Sequence, residues 1–517
     1  MKNTTKNTIY TTASVVTALS VAERGLGFLY RIVLSRLIGA EELGLYQVAL
    51  SLFGLFLTIG TGGIPITVSR MISKSKAENR PLDEKGAVSA GFSLSLLLTL
   101  PVCVILFLFG NKITFLFSDT RTFRVFRILL LGLCFSSLYA VIRGSFWGNK
   151  QFLLPSVLEI SEESVMVVTG ILLLRKISPE GSGAELAAWA VVISYLFSFT
   201  ASFVCFWLKG GRLSSPERQL KPLFNATLPL TSVRASSSLV NSAVAVLLPA
   251  MLMRAGATNA EAMSVFGVVS GMVLPILFIP STILGSLSLV LVPELSEDFY
   301  GNNLSRLQKN LERGLSVSFL IACTLIPFFY AVGDDLGRIA FSNAQAGEMI
   351  SKSSLILLPM SLTMISTGML NSMGLEKKTC LFYFVGAAVM LLCILLLPPI
   401  CGGYAYMIGL GASFSLNAVC NLVLLQKKCP IFQNRWGQVC IHCIFPLLVS
   451  LLPLSLLGKL CNLLFSKIMS ELFAMLLSAL ILAVGLGAVY ILTGIIPLPN
   501  LRKKKQAHKP ALSKKKS

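Results

Sequence analysis

Long apolar runs, each about the length of a bilayer-spanning helix, alternate along the chain with short polar connections. A helix needs about 20 apolar residues to cross the hydrocarbon core of a membrane. Fourteen runs meet this length, near residues 9–38, 44–69, 87–110, 126–146, 153–174, 186–208, 223–252, 263–292, 314–332, 353–373, 379–399, 403–426, 437–457 and 470–493. The pattern therefore predicts an all-α integral membrane protein with about fourteen transmembrane helices.

The first six runs resemble the next six in the residues that interrupt them. Each half opens with a run that carries arginine, and its second run is broken by glycine or proline, at Gly60–Pro65 and at Pro275–Pro280. This similarity favours two six-helix bundles in the same orientation, as in transporters built from parallel repeats. We predict an N-lobe over 1–222, a C-lobe over 223–428, two added helices over 429–493 and a basic, disordered tail over 494–517.

Charge adds the direction of insertion to this picture. The chain is 54% hydrophobic and only 13% charged, yet it has 44 Lys+Arg against 23 Asp+Glu, a net charge of +21. If the N-terminus is cytoplasmic, the connections and termini hold 29 Lys/Arg on the cytoplasmic side and 12 on the outer side. Lys and Arg are enriched in cytoplasmic connections. The asymmetry predicts a multi-pass cell-membrane protein with both termini cytoplasmic. Nucleic-acid binding is disfavoured because apolar runs separate the basic residues.

The composition offers little basis for an enzyme. The only histidines are His442 and His508, and the glycine motifs that bind phosphate or dinucleotides are absent from the sequence. The twelve cysteines lie mostly in apolar runs, and the one close pair, Cys440 and Cys443, has no second pair of metal ligands nearby. We therefore predict no catalytic residue, no cofactor and no metal site.

Three arginines lie well inside predicted spans, away from their ends, where an ionisable side chain is costly and usually faces a cavity or a partner. Arg24 and Arg31 are seven residues apart and so share one helix face, about 10 Å apart, while Arg234 lies in a serine-rich helix. Guanidinium groups match phosphate oxygens and keep their charge. We predict that Arg24, Arg31 and Arg234 line one cavity and bind the diphosphate of an anionic substrate. The alternative is that each pairs locally or extends to a membrane interface.

Glu159, Glu162 and Glu163 lie close together in the fifth predicted helix. Carboxylates this near to hydrocarbon need solvent, a cationic partner or a proton. They are candidates for a proton or Na⁺ coupling site, or for counter-charges that hold the arginines in one state. The alternative is ordinary solvation near the cytoplasmic end of the helix.

Several segments resemble a known family. They are Glu23-Arg-Gly-Leu-Gly-Phe-Leu-Tyr-Arg31, Leu37-Ile-Gly39, Glu42-Leu-Gly-Leu-Tyr46, Gly62-Gly-Ile-Pro-Ile66 and Pro280–Ser296. These segments are similar to the polysaccharide flippases of the multidrug/oligosaccharidyl-lipid/polysaccharide (MOP) exporter superfamily. Within it, the chain looks most like the stage V sporulation protein B group, which is related to the lipid II flippase MurJ.

The resemblance implies two six-helix lobes that form a V around a central cavity, with the two extra helices as a groove for a polyprenyl tail. It implies a flippase that moves an undecaprenyl-diphosphate-linked sugar from the inner to the outer leaflet by alternating access. The sugar would be a lipid-linked oligosaccharide or a peptidoglycan precursor, for example for the spore cortex. Its partners would be this substrate and membrane lipids, with Na⁺ or H⁺ coupling as an open question.

Two other functions stay open from the sequence. A cation-coupled multidrug exporter of the same superfamily would suit an acidic cavity, which the glutamates favour and the arginines disfavour. A non-transporting membrane scaffold or a membrane enzyme is the second alternative. A membrane polymerase or transferase would need a large outer loop or a clustered acid and histidine site, and the connections between the predicted spans are short.

Overall fold

Helices account for nearly all of the described chain. A computed structural model describes residues 2–78, 81–108, 117, 119–177 and 182–429, with isolated residues between 460 and 485, and these ranges contain no strand. The predicted thirteenth helix, most of the fourteenth and the predicted tail lie outside the described residues, as do Cys440 and Cys443. The fourteen-helix count therefore stays a prediction.

Sixteen α-helices follow one another within residues 2–429. In chain order they are α1 Lys2–Thr61, α2 Ile64–Ala77, α3 Pro81–Leu108, α4 Thr120–Gly148, α5 Leu153–Ile177, α6 Gly183–Leu208, α7 Glu217–Arg254, α8 Asn259–Phe266, α9 Leu274–Leu277, α10 Ile279–Tyr300, α11 Leu304–Phe341, α12 Ala344–Ser353, α13 Leu357–Ser372, α14 Glu376–Leu396, α15 Pro398–Cys401 and α16 Tyr404–Lys428. A π-helical segment, Gly267–Val273, joins α8 to α9, and a 3₁₀ turn, Ser354–Ile356, joins α12 to α13.

Eleven helical stretches of the described residues are long and apolar enough to cross a membrane. The first, Ser14–Ala77, is 64 residues long, more than twice the roughly 20 residues that one crossing needs. The helix α5 is not among the eleven, because three glutamates interrupt its apolar sequence. The protein is thus a multi-pass, all-α membrane protein, which confirms the predicted fold class.

The helix α1 is broken at Gly39, which adopts φ 76° and ψ 177°. A positive φ of this kind is accessible to glycine because it lacks a Cβ atom. The break falls between the first two predicted spans, 9–38 and 44–69, and α1 then ends at the Gly62-Gly63 turn before α2. One long helical stretch therefore contains two segments of span length that can take different directions.

A close backbone crossing fixes α1 against α8 and the π-helical segment. A Cβ atom placed on Gly44 would lie 1.9 Å from the Met263 carbonyl oxygen, and one on Gly267 would lie 2.0 Å from the Ala40 carbonyl oxygen. Side chains larger than hydrogen cannot be accommodated at either position without displacing the backbone. This crossing holds the start of the π-helical segment directly against α1.

The chain divides into two compact units. Unit 1 comprises Met1–Phe278, Ala340–Met349 and Phe384–Ser413, and unit 2 comprises Ile279–Ile339, Ile350–Tyr383 and Phe414–Ser517. In unit 1, α2, α3 and α4 pack together around an apolar core of fully buried side chains such as Ile64, Val68 and Ile142. In unit 2, α10 packs against α13. The predicted lobe boundary at 222/223 stays a prediction.

Candidate functional site

All six predicted site residues belong to unit 1. Arg24 and Arg31 lie on an unbroken part of α1, before Gly39. Seven residues of α-helix rise about 10.5 Å and turn almost through two full circles, so both side chains leave the same face. Both are exposed, and within the described residues neither guanidinium group makes a hydrogen bond or a close ion pair. This face of α1 therefore carries two cationic groups that are available to an anion.

The carboxylate of Glu159 is paired with a residue that the sequence pattern did not single out. Arg143 Nη1 donates to Glu159 Oε1 across 2.9 Å, and the two side chains are only 29% and 22% exposed. The guanidinium carbon of Arg143 also lies 5.1 Å from the ring centroid of Trp147 and 5.8 Å from that of Tyr139. Arg143 falls near the end of the predicted run 126–146, and α4 continues through Gly148, so Arg143 lies inside a helix.

The positions of Arg143 and Glu159 in the sequence are enough to predict this pair. The helices α4 and α5 are joined by the short connection Asn149–Phe152. Arg143 and Glu159, sixteen residues apart, lie at nearly equal distances on either side of that connection. Two opposite charges at similar distances from a short connection between helices lie at a similar depth, and an intramembrane charge usually has such a partner.

The other two glutamates of α5 point to different neighbours. Glu162 lies close to the buried Ser198 of α6. Glu163 faces α1, since a Cβ atom on Gly27 would lie 2.7 Å from Glu163 Oε1. Gly27 lies between Arg24 and Arg31 in the sequence, and Glu163 is within electrostatic range of Arg31. The absence of a side chain at Gly27 thus allows a carboxylate to approach the arginine face.

Arg234 lies on α7 and contacts a different part of α1. Its Nη1 atom donates to the carbonyl oxygen of Gly62 across 2.7 Å, at the turn between α1 and α2. One helical turn farther along α7, the hydroxyl groups of Ser238 and Thr58 are 2.8 Å apart. Within the described residues no contact joins Arg234 to Arg24 or Arg31. A single cavity shared by the three arginines therefore stays a prediction.

A cavity of about 350 Å³ lies beside this α1–α7 contact. Four parts of unit 1 enclose it: α1, α7, the segment from α8 to α9, and α16. The lining residues are Leu50, Ser51, Gly54, Ser238, Asn241, Val244, Phe266, Ser270, Leu274 and Tyr406. The polar side of α7 is visible in the sequence as a run of serines with Asn241, whereas Ser270 and Tyr406 carry no periodic signal that assigns them to a site.

The six predicted site residues and Arg143 lie in the part of the chain that matches a known family. Residues 5–299 match the model of a family described as polysaccharide biosynthesis protein. Stage V sporulation protein B of Bacillus subtilis (strain 168) is 26% identical over 363 residues, which is 67% of this chain and 69% of that protein. The lipid II flippase MurJ of the same strain is 23% identical over 335 residues, which is 59% of this chain and 61% of that protein.

Solved structures show the same fold over most of the chain. A lipid II flippase MurJ in an inward closed conformation has a TM-score of 0.67 at 14% identity, covering 93% of this chain and 100% of that one. An inward-facing multidrug resistance MATE family transporter of the MOP superfamily has a TM-score of 0.64 at 15% identity, covering 79% of this chain and 94% of that one. The fold is that of the MOP superfamily, as the resemblance of the first helices implies.

Proposed function

The chain belongs to the polysaccharide biosynthesis protein family, and from this premise we propose that it is a lipid flippase. Its substrate is an undecaprenyl-diphosphate-linked sugar, which it moves from the inner to the outer leaflet by alternating access. Similarity to stage V sporulation protein B supports a role in sporulation, with a peptidoglycan precursor of the spore cortex as the substrate. The lipid II flippase MurJ, related in sequence and in fold, supports the choice of a lipid-linked substrate.

The observation that carries this proposal is the arginine face of α1. Arg24 and Arg31 are exposed and, among the described residues, without a hydrogen-bonded acid. Each such residue at mid-membrane costs at least about 2.5–3.5 kcal/mol on insertion scales, so two on one face need an anionic partner. A diphosphate carries two adjacent anionic groups, and guanidinium groups bind phosphate oxygens in a bidentate manner. The flexible side chains of Arg24 and Arg31 can converge on such a group from one helix face.

We assign the glutamates of α5 the role of counter-charges. Arg143 already holds Glu159, and Glu163 lies within range of Arg31. When no substrate is bound, Glu163 partly balances the positive charge of Arg24 and Arg31. An arriving diphosphate would replace Glu163 as the anionic partner of Arg31. Coupling of Na⁺ or H⁺ to these carboxylates is the alternative role for the same residues.

A second candidate function is cation-coupled multidrug export. The carboxylates of Glu23, Glu159, Glu162 and Glu163 each lie within electrostatic range of two of the other three, and the fold is shared with a MATE family transporter. A cationic drug would nevertheless meet the exposed Arg24 and Arg31. Drug accumulation in cells with and without the protein separates the two functions, and we expect no difference in accumulation.

Depletion of the protein from cells that depend on it tests the proposal. We expect an undecaprenyl-diphosphate-linked sugar to accumulate in the cytoplasmic leaflet, as measured by lipid extraction after labelling from the cytoplasmic side. Restoring the wild-type chain should clear the accumulated lipid. Normal levels of every lipid-linked sugar during depletion would contradict the proposal.

A further inference from the structure

The cavity beside α1 and α7 differs in chemistry from the arginine face. Its polar lining consists of the uncharged side chains of Ser51, Ser238, Asn241, Ser270 and Tyr406. Apolar and aromatic side chains complete the wall, with Phe266 and Val244 fully buried behind it. Small-molecule sites typically combine an apolar wall with a few placed polar groups. The absence of charge among the lining residues disfavours a diphosphate or a cation as the occupant.

Two of the polar side chains are available to a ligand. The amide of Asn241 and the hydroxyl of Ser270 have no hydrogen-bond partner within the described part of the chain. An amide offers donors and acceptors together, and a hydroxyl can act as either. Ser270 lies in the π-helical segment Gly267–Val273, and π-helical turns inside helices often occur at functional sites. These groups fit a ligand that is rich in hydroxyl groups.

Two residues that line the cavity also lie on α7 close to the cationic Arg234. Ser238 and Asn241 follow Arg234 on α7 by four and seven residues, which correspond to rises of about 6 Å and 10 Å along one helix face. In a sugar linked to a diphosphate, the first sugar ring is bonded directly to the outer phosphate. A phosphate held near Arg234 would therefore bring that ring next to Ser238 and Asn241.

We propose that this cavity is the binding subsite for the first sugar ring of the lipid-linked substrate, with Asn241 and Ser270 as the residues that recognise its hydroxyl or amide groups. The subsite rests on the proposed flippase function and adds the part that distinguishes a glycan-bearing lipid from the bare carrier. Leu50 and Leu274, which are partly exposed, provide the apolar surface on which the C–H face of a sugar ring packs. The volume of about 350 Å³ lies near the lower end of the range for small-molecule sites, about 300–1,000 Å³, which suits one or two rings and not a long oligosaccharide.

Binding of two defined lipids to the purified full-length chain tests this subsite. The probes are undecaprenyl diphosphate and undecaprenyl-diphosphate-N-acetylglucosamine, titrated in nanodiscs. We expect the wild-type chain to bind the sugar-bearing lipid more tightly. Asn241→Leu should weaken binding of the sugar-bearing lipid about tenfold, since a hydrogen bond is lost without replacement. Undecaprenyl diphosphate has no sugar ring that could bond Asn241, so its binding should change less than about twofold.

Two further variants keep the test decisive. Ser270→Ala removes a single hydroxyl and should show the same selectivity with a smaller loss, about threefold to fivefold. Leu239→Ala, on the exposed face of α7, is the matched control and should bind both lipids as the wild type does. Equal wild-type affinity for the two lipids, or equal weakening of both in Asn241→Leu, would overturn the subsite while leaving the flippase function intact. If the wild-type chain binds neither lipid, the proposed function itself fails.

Discussion

At the scale of single residues, the pairing of charges between helices decides what the site can bind. Arg143 of α4 neutralises Glu159 of α5, so this acid is not free to attract a cationic substrate. Arg24 and Arg31 have no such fixed partner among the described residues. The sequence identifies the arginines because they interrupt apolar runs, but it cannot show which acid each one meets, since those partners come from other helices.

The Arg143–Glu159 pair should contribute measurably to stability. Removing one partner leaves a partly buried charge without its hydrogen bond, a loss of about 1.5–3 kcal/mol for charged groups. We expect Arg143→Gln and Glu159→Gln each to lower the Tm in detergent by a few degrees. The double variant should lose less than the sum of the two losses. Strictly additive losses would show that the two side chains do not interact.

Glu163 should compete with the substrate for Arg31. Replacing its carboxylate by an amide removes a negative charge near the arginine face while preserving the side-chain size. We expect Glu163→Gln to bind undecaprenyl diphosphate more tightly than the wild type, by about threefold to tenfold, that is about 0.7–1.4 kcal/mol. Glu185→Gln, at the start of α6, serves as the control. Weaker binding by Glu163→Gln would instead assign the carboxylate to substrate or ion binding.

At the scale of helices, apolar length predicts most elements well. The predicted runs 186–208 and 223–252 correspond to α6 and α7, which extend only a few residues farther. The predicted run 263–292 is different, because the structure divides it into α8, a π-helical segment, α9 and α10. Hydropathy cannot detect this division, which accompanies the contact of Gly267 with the backbone of α1. The cavity-lining Ser270 belongs to this same segment and was missed for the same reason.

The crossing of α1 with α8 should tolerate no side chain. A methyl group on Gly44 would overlap the Met263 carbonyl oxygen, and overpacking of this kind typically costs about 1–3 kcal/mol. We expect Gly44→Ala to lower the Tm and to reduce the yield of folded protein in size-exclusion chromatography. Gly285→Ala in α10, where a Cβ atom meets nothing within 4 Å, should leave both unchanged or slightly improved. Equal behaviour of the two variants would show that the helices do not cross at Gly44.

At the scale of the whole molecule, the distribution of the net charge of +21 predicts the orientation of the chain in the membrane. Basic residues in short connections set the orientation of membrane proteins, and the bias of this chain predicts cytoplasmic termini. Green fluorescent protein fused after Ser517 should fluoresce, and alkaline phosphatase fused there should be inactive. The opposite pair of results would place the C-terminus outside and would require an odd number of spans if the N-terminus is cytoplasmic.

Transport of a lipid-linked sugar by the arginine face of α1 is the central claim, and a reconstituted flipping assay tests it most directly. The chain is placed in liposomes containing fluorescent undecaprenyl-diphosphate-N-acetylglucosamine, and the fraction of lipid accessible to an external quencher is followed over time. The wild type should accelerate flipping over empty liposomes, and Arg24→Ala/Arg31→Ala should reduce the rate at least about tenfold, since two charge-assisted contacts are lost. Arg254→Ala, at the end of α7, should retain the wild-type rate. A wild-type rate in Arg24→Ala/Arg31→Ala would contradict the claim.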